Sequence, residues 1–220
     1  MRWIVNTLAP PHCVGCGHWL VDATDWPGTC DVCSAAWPDL RGSAGSLLFR
    51  ERCAAPFGAT GFRLRSERYL RAQIHDMKYG GNRFLAARWG KWLGDSHPCP
   101  AFLTAKETAL IPVPMHWKKR MRRGYNQAFW IAWGVSMAWN LPVRPDLLRR
   151  THHESSLTRL SRSDRSNRSQ ALYVSKRQSE VKAAVVVDDV LTTGSTMLAC
   201  GVALERKGIR WDGAMTLALA

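Results

Sequence analysis

Acidic residues are scarce in this chain: 17 Asp and Glu stand against 31 Lys and Arg, a formal charge of +14 over 220 residues. So large an excess points to polyanionic partners such as a pyrophosphate-bearing ligand or nucleic acid. Long apolar runs are missing too. None approaches the roughly 18 residues that a membrane-spanning helix needs, so no membrane insertion is expected. Met1 to Leu8 carry one Arg and scattered apolar side chains, without the apolar stretch of roughly 7–15 residues found in a signal peptide. The cytoplasm is the expected location. No Gly-x-x-x-x-Gly-Lys occurs, which excludes a Walker phosphate loop. Seven cysteines, an odd number, in a reducing compartment argue against a disulfide framework.

What is present is unevenly spread. Between Ile111 and Arg177 there are fourteen Lys and Arg against three Asp and Glu, so +11 of the charge lies in under a third of the chain. Within it, Lys118, Lys119, Arg120, Arg122 and Arg123 crowd into six residues. Such a run repels itself unless it is solvated or paired to an anion. It follows Ala109 to Pro114, a buried strand stiffened at its end by prolines. From there it could hold a pyrophosphate across a crevice, or bind nucleic acid.

The chain is organised around Val185 to Thr196. Val185, Val186 and Val187 suit a strand buried on both faces. Asp188 and Asp189 stand at its carboxyl edge. Leu191 then leads into Thr192, Thr193, Gly194, Ser195 and Thr196, a hydroxyl-rich loop around one glycine, and a helix follows. Backbone N–H groups, hydroxyls and a helix N-terminus can converge there on one phosphate. Ionised carboxylates only accept, which suits the vicinal hydroxyls of a ribose. A sugar 5-phosphate fits, with its diol on the Asp pair. A Mg²⁺ site on the Asp pair and an ordinary polar turn are the alternatives.

Near the start, Cys13 and Cys16 form one Cys-x-x-Cys pair and Cys30 and Cys33 a second, thirteen residues apart. That spacing suits one tetrahedral Zn²⁺ with a closed, structural shell. Residues 1–40 are therefore expected as a zinc-binding element built on these four cysteines, 41–60 as a linker in which Cys53 has no role, and 61–220 as the main domain. Helices are expected from Ser66 to Gly80, carrying a surface His75 and a solvated Lys78, from Asn82 to Gly94, and from Tyr125 to Trp139. In the last, Phe129, Ala132, Trp133, Ser136 and Met137 form the apolar stripe, with the indoles in the core. Short strands are expected at Gly58 to Leu64 and Leu147 to Arg150. Residues 151–170, rich in Ser, Arg and Asn, are expected to be mobile until an anion binds. Alternating strands and helices give an α/β fold with a doubly wound, mostly parallel sheet, whose ligands sit at the carboxyl ends of the strands.

Val185 to Thr196 closely resembles the phosphoribosyl-diphosphate (PRPP) signature of type I phosphoribosyltransferases. Together with the Cys-x-x-Cys pairs, His75 to Gly80 and Ile111 to Gln127, it occurs in an order that resembles the ComF family, the competence-protein-F group that includes gluconate-uptake-related proteins. The resemblance implies a phosphoribosyltransferase-like domain with an N-terminal zinc element. PRPP or a phosphorylated ribose would bind at Asp188, Asp189 and Leu191 to Thr196, with Mg²⁺ accompanying PRPP. It also implies handling of single-stranded DNA during natural transformation, alongside other competence proteins; an active transferase acting on a nitrogen acceptor is the alternative. In the 151–170 segment Leu157 and Arg168 replace the family's Gln and Asn, while Leu160 and Arg165 are retained. Any acceptor contact made by those amides is then lost here.

Overall fold

A computed structural model describes residues 12–13, 16–20, 30–36, 43–63, 68–150, 173–175 and 180–220, and its first helix is α1 (Asp31–Ala36). The four long strands are β1 (Phe57–Arg63), β2 (Thr108–Pro112), β5 (Ala183–Leu191) and β6 (Arg210–Leu219). They form one sheet in the order β1-β6-β5-β2, and every neighbouring pair is parallel. Successive side chains on a strand point to opposite faces, so β5 feeds two cores. Val186 packs with helices α2 (Ser43–Cys53) and α7 (Ser195–Glu205), whereas Val185 and Val187 pack with α3 (Arg68–Tyr79), α4 (Arg83–Ser96) and α6 (Gln127–Trp139). Helices therefore cover both faces, as the unbroken apolar run of β5 requires.

The layer of α4 and α6 is built on close backbone approach. A Cβ on Gly90 would lie 2.0 Å from the Ile131 carbonyl oxygen, and one on Gly134 would lie 2.1 Å from that of Ala87. The α6 stripe differs from expectation. Its buried face is Ala128, Ile131, Ala132, Val135 and Trp139, while Trp133 and Met137 are 42% and 48% exposed. Apolar residues occur on every side of this helix, so periodicity alone did not select the inward face. Trp139 is the core indole; its Nε1 donates to the carbonyls of Gly94 and His97 at 3.0 and 2.8 Å, satisfying its buried N–H. The helix expected from Asn82 is α4: the Asn82 side chain caps it by accepting the Leu85 N–H at 3.0 Å, and it runs to Ser96, two residues beyond Gly94.

One further expectation is corrected. Residues 41–60 are not a linker, because α2 occupies 43–53 and β1 begins at Phe57. Phe49 and Cys53 of α2 are buried against α7, and the Cys53 Sγ donates to the Phe49 carbonyl at 3.2 Å. The basic run Trp117–Arg123 is a helix, α5. His116 caps it by accepting the Lys118 N–H, and Gly124, at φ 78°, ends it. Arg120, Arg122 and Arg123 fall in its last turn, where the helix dipole favours cations. Strand β3 (Leu148–Arg150) pairs antiparallel with β4 (Tyr173–Ser175) in a separate two-stranded sheet. Residues 151–172, the Ser66 cap and the family positions Leu157, Leu160, Arg165 and Arg168 lie outside the described residues. Among the described residues no helix is long and apolar enough to cross a membrane.

Candidate functional site

At the carboxyl ends of β2 and β5 lies a cleft of ≈ 230 Å³. This is where parallel sheets place ligands. Asp188 and Asp189 line it, and β5 continues through them to Leu191, because β6 pairs with it as far as Leu219. The pair thus sits on a rigid strand instead of a turn. Asp189 is buried and meets the Lys78 Nζ at 2.8 Å and the Gln127 Nε2 at 3.2 Å. Neither partner had been assigned a role from sequence, and Lys78 is not merely a solvated cation. The available signal was spacing: Lys78 follows the buried Ile74 by four residues, so it stands at the rim of the buried face of α3.

Asp188 accepts the Asp189 backbone N–H at 2.9 Å. Burial, and next the Asp189 charge, push the Asp188 carboxyl up to about 8. A carboxyl that holds its proton more tightly in the folded chain stabilises the fold below that value. The unliganded protein therefore loses this contribution as pH rises from the ordinary carboxylate range through about 8. Melting temperatures of wild type and Asp188→Asn, compared at each pH, should show the wild type falling relative to the variant over that window. A constant difference would contradict it.

After Leu191 the loop turns on Gly194, whose φ of 81° a side chain would strain. A Cβ there would also lie 2.4 Å from the Arg52 carbonyl oxygen. Helix α2 thus buttresses the loop: the Arg52 Nη1 donates to the carbonyls of Thr192 at 2.5 Å and Ala220 at 2.9 Å. Thr193 and Ser195 hydroxyls lie 3.0 Å apart. As N-cap, Gly194 has no side chain to cap α7, so the first-turn N–H groups lie at the loop with Thr196, which reaches the cleft.

The structure divides the basic cluster. Lys119 and Arg123, one turn apart on α5, line the cleft with the Asp pair. Arg123 donates to the Gln127 Oε1 at 3.1 Å and the Tyr79 Oη at 3.3 Å, while its Nε is buried with no hydrogen-bond partner among the described residues. Arg120 instead lines a neighbouring pocket, Lys118 lies over the Trp117 ring and Arg122 over Tyr79.

Far from this cleft in sequence, the sulfurs of Cys13, Cys16, Cys30 and Cys33 all lie within 4.8 Å of one another. The Cys16 and Cys30 sulfurs are 3.7 Å apart, close to the edge of about 3.8 Å of a tetrahedron with Zn–S bonds of about 2.3 Å. Burial and the neighbouring thiols push the Cys33 thiol up. These four cysteines could hold a metal ion, and the donor set fits structural zinc. Metal analysis of the purified chain should find one zinc, and Cys30→Ser should remove it; a zinc content unchanged by that substitution would contradict the assignment.

Fold and clusters together define a mixed α/β protein with a parallel sheet and, toward its N-terminus, a four-cysteine cluster of metal-binding type. No family model matches the chain. It is similar to Competence protein F of Haemophilus influenzae, with 34% identity over 104 residues. That stretch is 46% of this chain and 45% of that protein, so the match spans less than half of either. The similarity supports the ComF family for this chain.

Proposed function

We propose that the chain is a phosphoribosyltransferase-like protein that binds PRPP and acts in handling single-stranded DNA during natural transformation. The observation that carries the ligand is the run of Asp188, Asp189 and the Thr192–Thr196 loop along one rigid strand-to-helix path, with Lys119 and Arg123 across the cleft. The Asp pair takes the ribose hydroxyls, and the loop and the α7 N-terminus take the 5-phosphate. Lys119 and Arg123 neutralise the diphosphate. Mg²⁺ is typically bound by one or two carboxylates together with substrate phosphates, which the Asp pair fits. When bound, the ion would offset diphosphate charge.

A competence role is supported by the name of the relative, and contact with a polyanionic strand by the charge of +11 between Ile111 and Arg177. Phosphate contacts weaken with salt, at a log–log slope of about −0.7 per contact on single strands. Calorimetric titration of PRPP with and without Mg²⁺ tests the ligand, and anisotropy of a labelled oligonucleotide across salt concentrations tests the strand. Absence of both interactions would overturn the proposal. Release of pyrophosphate in the presence of a nitrogenous acceptor would instead establish the transferase reading, which needs the same cleft.

A further inference from the structure

We infer that Gln127 is a positioning residue that couples the acidic and basic halves of the cleft, and so makes the cleft selective for a ligand carrying both a ribose and a diphosphate. This rests on reading the cleft as a PRPP site. Gln127 is buried and lines the cleft. Its Nε2 donates to the Asp189 Oδ2 at 3.2 Å, and its Oε1 accepts from the Arg123 Nη1 at 3.1 Å. A guanidinium only donates and an ionised carboxylate only accepts, so a group that joins them must do both. An uncharged amide does so. A Glu in its place would set a second carboxylate against Asp189, and a Lys would set a second cation against Arg123.

The amide is anchored through the backbone that carries it. Gln127 opens α6 directly after the Asn126 cap, whose Oδ1 accepts the Ala128 N–H at 3.1 Å while its Nδ2 donates to the Val113 carbonyl at 2.9 Å. The Val113 N–H in turn donates to the Val187 carbonyl of β5 at 2.9 Å, one residue before the Asp pair. Both ends of the bridge are also braced from α3. The Lys78 Nζ meets the same Asp189 oxygen at 2.8 Å, and the Tyr79 Oη accepts from the Arg123 Nη2 at 3.3 Å. With Lys78 and Gln127 both on Oδ2, the other carboxylate oxygen of Asp189 is left to a ligand hydroxyl. Opposite charges in one cleft attract. An amide between them satisfies both and holds them apart, so the space stays open to a ligand with hydroxyls at one end and phosphates at the other.

Calorimetry on the full chain with PRPP and with ribose 5-phosphate, beside a thermal melt, tests the inference. Gln127→Met keeps the length of the side chain without its polarity, and Gln127→Asn keeps the amide without its reach. Each is expected to weaken PRPP binding by about 10-fold or more, as for lost hydrogen bonds to charged partners. Ribose 5-phosphate lacks the diphosphate and uses only the acidic half. It should therefore lose less, and the preference for PRPP over ribose 5-phosphate should shrink. A residue that merely fills space would not move that preference. Gln127→Asn carries the test if the Met variant does not fold, because it leaves the buried position polar. Folded variants that bind PRPP as the wild type does, or that lose both ligands equally, overturn the coupling and leave the cleft reading standing. Wild type that fails to bind PRPP overturns the cleft reading and the coupling with it.

Discussion

Replacing Asp188 and Asp189 together by Asn is expected to weaken PRPP binding by about 10-fold or more, because the charged acceptor Asp189 is lost and such a hydrogen bond contributes about 1.5–3 kcal/mol. The fold should survive. Asn at 188 resembles the protonated carboxyl that burial already favours there. Lys78 loses its partner at 189 but, at 24% side-chain exposure, keeps access to water, so the penalty is well below that of a stranded buried charge. Calorimetry beside a thermal melt separates the two effects. An unchanged affinity in a folded double variant would show that the pair does not hold the ribose.

The second large effect concerns α5. Lys119→Ala with Arg123→Ala should reduce PRPP affinity by about 10- to 100-fold, as expected for charge-assisted contacts to a diphosphate. Lys118→Ala with Arg122→Ala should leave it nearly unchanged, since those cations lie over Trp117 and Tyr79 and do not line the cleft. For single-stranded DNA both pairs should matter, each flattening the salt dependence. PRPP should then compete with DNA through Lys119 and Arg123 alone. Equal effects of the two pairs on PRPP affinity would mean that α5 acts only through its summed field.

The legible parts of this molecule were those coded locally. The apolar run, acids, hydroxyls and glycine of Val185 to Thr196 are consecutive, so their order alone places a buried strand, its edge and a phosphate-type loop. The four cysteines were legible because their spacing is a ligand pattern in itself. What escaped is tertiary. Arg52 supports the Thr192 carbonyl from 140 residues away, and no local pattern distinguishes it from any other arginine at a helix end. The Ser- and Gly-containing start of α2 reads as a linker, and only packing against β1 and α7 holds it helical. Lys78 reached Asp189 through the fold, and the basic run split between two spaces because helix α5 puts Lys119 and Arg123, one turn apart, on one side and Arg120 on another.

Hydrogen exchange of the full chain with and without Mg²⁺ and PRPP is the decisive measurement for the ligand site. With the 5-phosphate of the ligand on the loop and first turn of α7, amides from Thr192 to Leu198 should gain the largest protection, with a smaller gain over α5. Binding that leaves Thr192 to Leu198 unprotected, or protection confined to other elements, would contradict it.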